Sequence, residues 1–474
     1  MKTNSVLPAL FHTTSLPRRR FLIHSAAACA AAVVWPAPLP GAVGGASTNG
    51  NVTLAGVGVG GVGFGQLQEC EKAGFQIVAL CDVDSSYAKK AFDRWPQARR
   101  YVDYREMLAA EADKVDAVYC GTPDHTHALV SLAALRKRKH VCCVKPLTRT
   151  ISELRIIVKA AREASVATQV TAAANTGEEG CRTCELIWAG AIGEVRQLHL
   201  WSNRPVWPQG MSRPPGQDPL PTGLDWKLWL GPAPSRPFKS NWPKGHSALT
   251  QMNLKDWDPG VQAVYHPFNF RGWWDFGTGA LGDMGCHHFN TPFRALKLGA
   301  PTRVQGSASK VFEESAPLAS MVVLDFPARQ DMPPLTATWY DGGLKPPAPK
   351  EFVGAWPAEG TLYVGDKGFL LSTWAGIQVF PDSAARSIQS LPRTLERRGG
   401  TWDEWFKACQ GGPAAGCNFD WAGPLTEAVL LGNAALRAQK PLEWDAGQMK
   451  FTNDSGSNRF LQEAYQNGWS LDAV

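Results

Sequence analysis

Val52-Thr-Leu-Ala-Gly-Val57-Gly58-Val-Gly60-Gly61-Val62-Gly63-Phe64 is the stretch on which the fold turns. A short apolar run reads as a strand, the glycines as a tight turn, and Phe64 to Ala73 as a helix, which is the context a G-x-G-x-x-G match needs. The first glycine of such a turn lets the chain double back, the second lets backbone approach a pyrophosphate, and the third lets helix pack on strand. This assigns Gly58, Gly60, Gly61, Val62 and Gly63 to a dinucleotide. A second apolar strand, Gln76 to Leu80, ends at Cys81-Asp82, and Asp82 lies 24 residues after Gly58. An acidic side chain there is placed to accept from the adenosine ribose hydroxyls. It would repel a 2′-phosphate, and no arginine follows at once, so NAD is expected over NADP.

The alternation continues. Helix is expected over Tyr104 to Ala112, strand over Val115 to Cys120, helix over Ala128 to Arg136, strand over His140 to Val144, helix over Ser152 to Ala164 and strand over Ala167 to Val170. Strands and helices alternating through short connections give a doubly wound parallel sheet, whose ligands lie beyond the carboxyl ends of the strands. That rule directs Thr122, Pro123, His127 and Lys145 toward the nicotinamide end of the cofactor.

The formal charge of +6 does not indicate an anionic polymer as partner. Residues 1 to 47 hold Lys2, Arg18, Arg19 and Arg20 and no acid, so the rest, with 44 basic and 42 acidic side chains, is nearly neutral. No nucleic-acid partner is expected. Arg18-Arg19-Arg20-Phe21-Leu22 precedes an alanine-rich apolar stretch to Trp35 and a Pro/Gly/Ala run ending near Ala42 or Ala46. That is the layout of an export signal of twin-arginine type, implying a periplasmic or otherwise exported protein with no membrane attachment after its removal. Cys81, Cys120, Cys142 and Cys143 sit in strand-like apolar surroundings and read as small hydrophobes rather than half-cystines. Cys181-Arg-Thr-Cys184 has no second ligand pair at matching distance, so no metal is expected.

The second half differs in composition: of 19 tryptophans, only Trp35 and Trp95 precede residue 188. Glu178 to Ala189 reads as helix and Glu194 to Ser202 as strand, with Val195, Gln197, His199 and Trp201 on one face. Residues 203 to 272, rich in Pro, Trp and Gly, read as long ordered loops around a pocket. A helix over Gly279 to Leu298 carries Asp283 and His287 at i and i+4, on one face. Segments at Arg303 to Val311, Ser320 to Phe326, Leu335 to Tyr340, Gly360 to Val364 and Gly368 to Ser372 suit a mainly antiparallel sheet. The expected organisation is a leader over 1–47, an NAD-binding Rossmann domain over 48–175 and an α+β substrate domain over 176–474.

The glycine turn, Cys81-Asp-Val-Asp84, Thr122-Pro-Asp-His-Thr-His127, Lys145-Pro-Leu-Thr148, Gly277-Thr-Gly-Ala-Leu-Gly-Asp283-Met-Gly-Cys-His287 and Asn418-Phe-Asp-Trp-Ala-Gly-Pro-Leu, in this order, resemble the Gfo/Idh/MocA oxidoreductases, the glucose-fructose oxidoreductase and inositol dehydrogenase family. The resemblance implies a Rossmann domain followed by an open sheet that covers the nicotinamide, and it makes Lys-Pro and Asp-x-x-x-His catalytic elements. Oxidation of a carbinol needs a base for the hydroxyl proton and a positive charge beside the developing oxyanion. His287 is then the base, Asp283 its orienting partner and Lys145 the cation. Asn203, Arg204, Tyr265, His266, Arg271 and Trp274, with His287, are candidates for binding a carbohydrate, several of the tryptophans around them being packing residues.

Two departures stand out. Val144 replaces the glutamate that relatives place before Lys-Pro, and Thr171-Ala-Ala-Ala-Asn-Thr176 replaces a Gly-Asn-Gln type of loop. The expected activity is exported, NAD-dependent oxidation of a carbohydrate, glycoside or cyclitol hydroxyl on tightly held cofactor. Glycoside cleavage by oxidation and elimination without net redox change is one alternative, and a catalytically silent sugar- and NAD-binding protein is another. Sheets of this kind commonly pair, so a homodimer or homotetramer is expected.

Overall fold

A computed structural model describes residues 50–172, 175–251, 263–387 and 390–474. The leader expected over 1–47 and Trp257 lie outside the described residues. Six strands form the first sheet: β1 (Val52–Val57), β2 (Phe75–Cys81), β3 (Arg99–Tyr101), β4 (Ala117–Cys120), β5 (His140–Val144) and β6 (Thr168–Thr171). All pair in parallel in the order β3-β2-β1-β4-β5-β6, which reverses direction beside β1 and leaves a crevice at the carboxyl ends. The short polar strand β3, Arg-Arg-Tyr, is not visible in the apolar pattern, because two of its three residues are exposed at the sheet edge.

The four helices expected between Phe64 and Ala164 are present within one or two residues, from Val62–Ala73 to Ile151–Ala164, and the short helix Lys89–Arg94 is an unexpected addition. Helix Ile151–Ala164 starts where it does because Thr150 accepts from the Glu153 backbone while the Glu153 carboxylate accepts from the Thr150 N–H, satisfying two donors that a helix end leaves open. Its inner face buries Leu154, Ile157 and Ala161 with Leu129, Leu132 and Val141, each large aliphatic contributing roughly 1.5–3 kcal/mol by leaving water.

The second sheet has nine strands: β7 (Val195–Trp201), β8 (Arg303–Ala308), β9 (Ser320–Phe326), β10 (Leu335–Tyr340), β11 (Gly360–Gly365), β12 (Phe369–Thr373), β13 (Gly376–Phe380), β14 (Leu442–Asp445) and β15 (Lys450–Phe451). Their order is β13-β12-β11-β7-β10-β9-β8-β14-β15, antiparallel throughout except at β7 and β10. In β7 the core face is Leu198 and Leu200, while Gln197 is exposed and His199 half-buried. Helices Gly279–Ala295 and Phe419–Ala438 pack on this core through Met284, Phe289, Leu425 and Leu431.

Late segments return to the first sheet. Trp405, Ala408 and Cys409 share a core with Phe75 and Cys142, and Phe419 and Ala422 share one with Val141 and Val170. The ten cysteines among the described residues are buried and unpaired. No described helix is long and apolar enough to cross a membrane.

Candidate active site

One cleft runs along the carboxyl ends of the first sheet, lined by Gly58, Gly60, Val62, Asp82, Thr122, Pro123, Lys145, Thr171, Arg271 and Asp283 among others. Gly58 has φ +73°, and a Cβ there would meet the Gly121–Thr122 backbone at 2.7 Å. A Cβ on Gly63 would stand 2.0 Å from the Gly58 carbonyl oxygen, so strand and helix meet only through glycine. Helix Val62–Ala73 has neither a side-chain cap nor an acid in its first turn. Its open N–H groups and the positive end of its dipole suit a pyrophosphate.

Asp82 has a second duty beyond the one its spacing suggests. Its Oδ2 accepts from the Val59 and Gly60 N–H groups at 2.9 and 3.1 Å, and Oδ1 accepts from Asp84 N–H at 2.9 Å. A carboxylate offers about four lone-pair sites, so about one remains for a ribose hydroxyl. Burial pushes its pKa up against those three bonds. The Tyr87 ring packs over Gly60 and Gly61.

Lys145 follows β5 and reaches Asp283 across the cleft, its ammonium donating to Oδ1. Arg271 Nε donates to the same oxygen at 3.0 Å. Burial opposes ionisation of Asp283, but Lys145 and then Arg271 outweigh it and hold the carboxyl well below the usual range. His287, one helical turn on, is pushed down to about 3, by burial first and by the Lys145 ammonium second. It is therefore neutral at ordinary pH. At the end of β6, Thr171 Oγ1 is buried in the cleft wall with no hydrogen-bond partner. Such a hydroxyl calls for an acceptor or donor from a ligand.

Several expected roles are corrected. His127 is fully buried, with Nδ1 2.7 Å from the Pro146 oxygen and Nε2 2.8 Å from the Thr122 oxygen, so it ties two strand-end loops together instead of facing the cofactor. Its ring lies within 4.8 Å of the Cys120 and Cys143 sulfurs, but both nitrogens are already engaged by carbonyls. His266 receives a hydrogen bond from Trp229 Nε1 on Nδ1 at 3.0 Å and donates from Nε2 to Asp84 at 2.9 Å. It braces the roof against the loop after β2 while still lining the cleft. Tyr265 is packed among Trp226, Trp273 and Phe276. Trp274 is buried beneath the Arg437 guanidinium, outside the cleft lining. Trp201, Trp207 and Trp273 are likewise core residues, and among the described residues Trp229 alone of the tryptophans between 201 and 274 lines the cleft.

Asn203 is exposed and accepts from Arg204. Beside them lies a group that the sequence did not reveal. Glu359, just before β11, accepts from Ser202 Oγ at 3.3 Å and stands 3.8 Å from His288 Nε2, a buried nitrogen without a hydrogen-bond partner. His288 foremost, with Arg204, holds the Glu359 carboxyl below its usual range, and Glu359 in turn acts on His287. Trp374, in the β12–β13 turn and 59% exposed, meets the His288 ring edge-on at 6.1 Å. Only the pairing of β11 with β7 brings Glu359 to Ser202, and no motif spans that distance.

Residues 51–172 match the GFO_IDH_MocA family, described as "Oxidoreductase family, NAD-binding Rossmann fold". The chain is 32% identical over 108 residues to inositol 2-dehydrogenase of Salmonella typhimurium, which is 22% of this chain and 31% of that enzyme. It is 28% identical over 149 residues to a glycosyl hydrolase family 109 protein of Shewanella sp. strain W3-18-1, covering 29% and 32%. The chain thus spans about a third of the length of these curated relatives. In fold it is similar to the WlbA dehydrogenase of Chromobacterium violaceum, solved with NADH and UDP-GlcNAcA, with a TM-score of 0.57 at 15% identity over 85% of this chain and 98% of that one.

Proposed function

We propose that this chain, whose residues 51–172 form an NAD-binding Rossmann domain of the Gfo/Idh/MocA oxidoreductase family, oxidises a secondary hydroxyl of a carbohydrate or cyclitol. The observation that carries the reading is the meeting of Lys145, Arg271 and Asp283 at the β5 end of the cleft, one helical turn from His287. The glycine turn, the uncapped helix start and the unpartnered Thr171 hydroxyl suit a dinucleotide laid across the strand ends. Bound NAD supplies the hydride acceptor.

The remaining work falls to side chains. Asp283 is kept ionised and positions Lys145, whose ammonium polarises the substrate hydroxyl and stabilises the alkoxide as it forms. A ring nitrogen of neutral His287 accepts the hydroxyl proton. A histidine held at about 3 is a weak base, so the proton moves as hydride departs, with Lys145 lowering the cost of the developing anion. Glu359 and the exposed Trp374 lie together against His288, and we assign the carboxylate and the aromatic face to the rest of the ring.

The similarity to a glycosyl hydrolase family 109 protein supports a second reading on the same residues. Transient oxidation by bound NAD acidifies a neighbouring C–H; loss of that proton expels the aglycone, which takes up a proton, water adds to the enone left behind, and return of the hydride restores the alcohol with no net redox change. Incubating the purified protein with NAD and myo-inositol, glucose, methyl glucosides and aryl glycosides separates the two. NADH with a keto product supports the first, and free aglycone without net NADH supports the second. Failure to bind NAD at all would sink both.

Export through the signal-like run Arg18-Arg19-Arg20-Phe21-Leu22 is part of the proposal. Free dinucleotide is not expected outside the cytoplasm, so the protein would carry its cofactor with it. Fractionation of cells producing the full chain, with Arg18 and Arg19 both changed to lysine as control, tests this. A homodimer or homotetramer is proposed alongside, to be read by light scattering.

A further inference from the structure

The strand order places the two ends of a dinucleotide. Lys145 follows β5 and Thr171 ends β6 on one side of β1, while Val83 and Val102 follow β2 and β3 on the other. With the pyrophosphate at the glycine turn and the nicotinamide beside Lys145, the adenosine falls on the β2–β3 side. The wall there is built by Val83, Val102 and Tyr104, and by Trp469, which lies more than 360 residues further along the chain.

We propose that segment Tyr465–Val474 is part of the adenosine site, and that Trp469 is the residue against which the adenine base packs. This rests on the reading of the cleft as an NAD site. The Trp469 indole is held on the first domain by Tyr104, stacked at 6.2 Å, and by the Arg105 guanidinium 4.3 Å from its ring. It is half-buried and borders the cleft. Its segment is tied to the same domain by Tyr465, whose hydroxyl donates to Glu153 at 2.6 Å, and by Arg136, which donates to the Leu471 carbonyl at 2.7 Å.

The segment also reaches the roof. Gln466 N–H donates to the Pro232 carbonyl at 2.9 Å, and Asn467 Nδ2 donates to the Gly231 and Ala233 carbonyls at 3.0 and 2.8 Å. Those residues follow helix Trp226–Leu230, which brings Leu228 and Trp229 to the same cleft. The adenosine end is therefore bordered by two pieces of the second half of the chain that are stapled to each other.

Binding of NAD, AMP and nicotinamide mononucleotide to the full chain tests this. Loss of an aromatic base contact costs roughly five- to a hundredfold in affinity. Trp469→Ala is expected to weaken NAD and AMP by about tenfold and speed NAD release comparably, with nicotinamide mononucleotide changed less than about twofold and Trp469→Phe restoring most of the loss. Unchanged NAD affinity, or equal losses for all three ligands, would overturn the assignment. In unaltered protein, AMP should slow amide exchange across 465–474 and nicotinamide mononucleotide should not; no protection by AMP also overturns it. If the unaltered protein binds neither NAD nor AMP, it is the cofactor reading itself that fails.

Discussion

Lys145 and Asp283, 138 positions apart in the chain, form an ion pair with side chains 17% and 12% exposed, and Arg271 shares the carboxylate. One strand end, one helix and one roof loop are thereby joined at a single oxygen, and the charge that acts on His287 is set by that junction.

Replacing Lys145 by methionine removes the charge that the proposed mechanism sets beside the reacting hydroxyl. The rate of NADH formation should fall by about 10²–10⁴, a range typical for losing such a group. Arg271 still partners Asp283, so the variant should fold with NAD affinity close to normal. Undiminished turnover would remove Lys145 from the chemistry.

His287 held at about 3 stays in its neutral form well below neutrality. The pH profile of turnover should therefore show no acid limb near about 6.5 from this residue. His287→Ala should lose at least about a hundredfold in rate while NAD binding persists. A limb in that range that vanishes in the variant would show that the histidine titrates normally.

On the proposed assignment, Glu359→Gln and Trp374→Ala should affect the substrate and not the cofactor. Each should raise KM for an accepted sugar by about five- to tenfold, as expected for an interaction of about 1 kcal/mol or slightly more. kcat and NAD affinity should stay near the original values. A loss in kcat alone would place these residues in the proton transfer instead.

Burial holds His125 and His287 at about 3 and His140 at about 4. Each folded value lies below that of the unfolded chain, about 6.5. Between these limits the unfolded chain binds more protons, so stability is full above about 6.5 and falls as pH drops toward about 4 and then about 3. Each group contributes a slope of at most about 1.4 kcal/mol per pH unit. Urea midpoints measured from about pH 7.5 to about pH 4.5 should decline, less steeply for His140→Asn. Midpoints that stay level would contradict the burial.

The first domain was legible because its signals are local. An apolar run, a glycine turn and a helix with its own cap each occupy a few neighbouring residues, and right-handed parallel crossovers leave few ways to assemble them. Asp283 and His287 were legible for the same reason, being one turn apart on one helix. The substrate side was not. Tyr265 and Trp274 have the composition of a sugar-binding wall but lie in packing contacts, while Trp374, in the β12–β13 turn, is 59% exposed.

By itself the sequence determined the Rossmann domain, its glycine turn, the strand-end position of Lys145 and the sharing of one helix face by Asp283 and His287, because strand alternation, glycine sterics and helical periodicity act between near neighbours. Tertiary structure alone decided that His127 is a strut, that Arg271 completes the charge cluster, that Glu359 meets His288, and that Trp469 returns to the cofactor cleft. Those outcomes depend on which distant segments share a surface. Burial and charge at such meetings arise from the assembled packing and have no signature in any short stretch of chain.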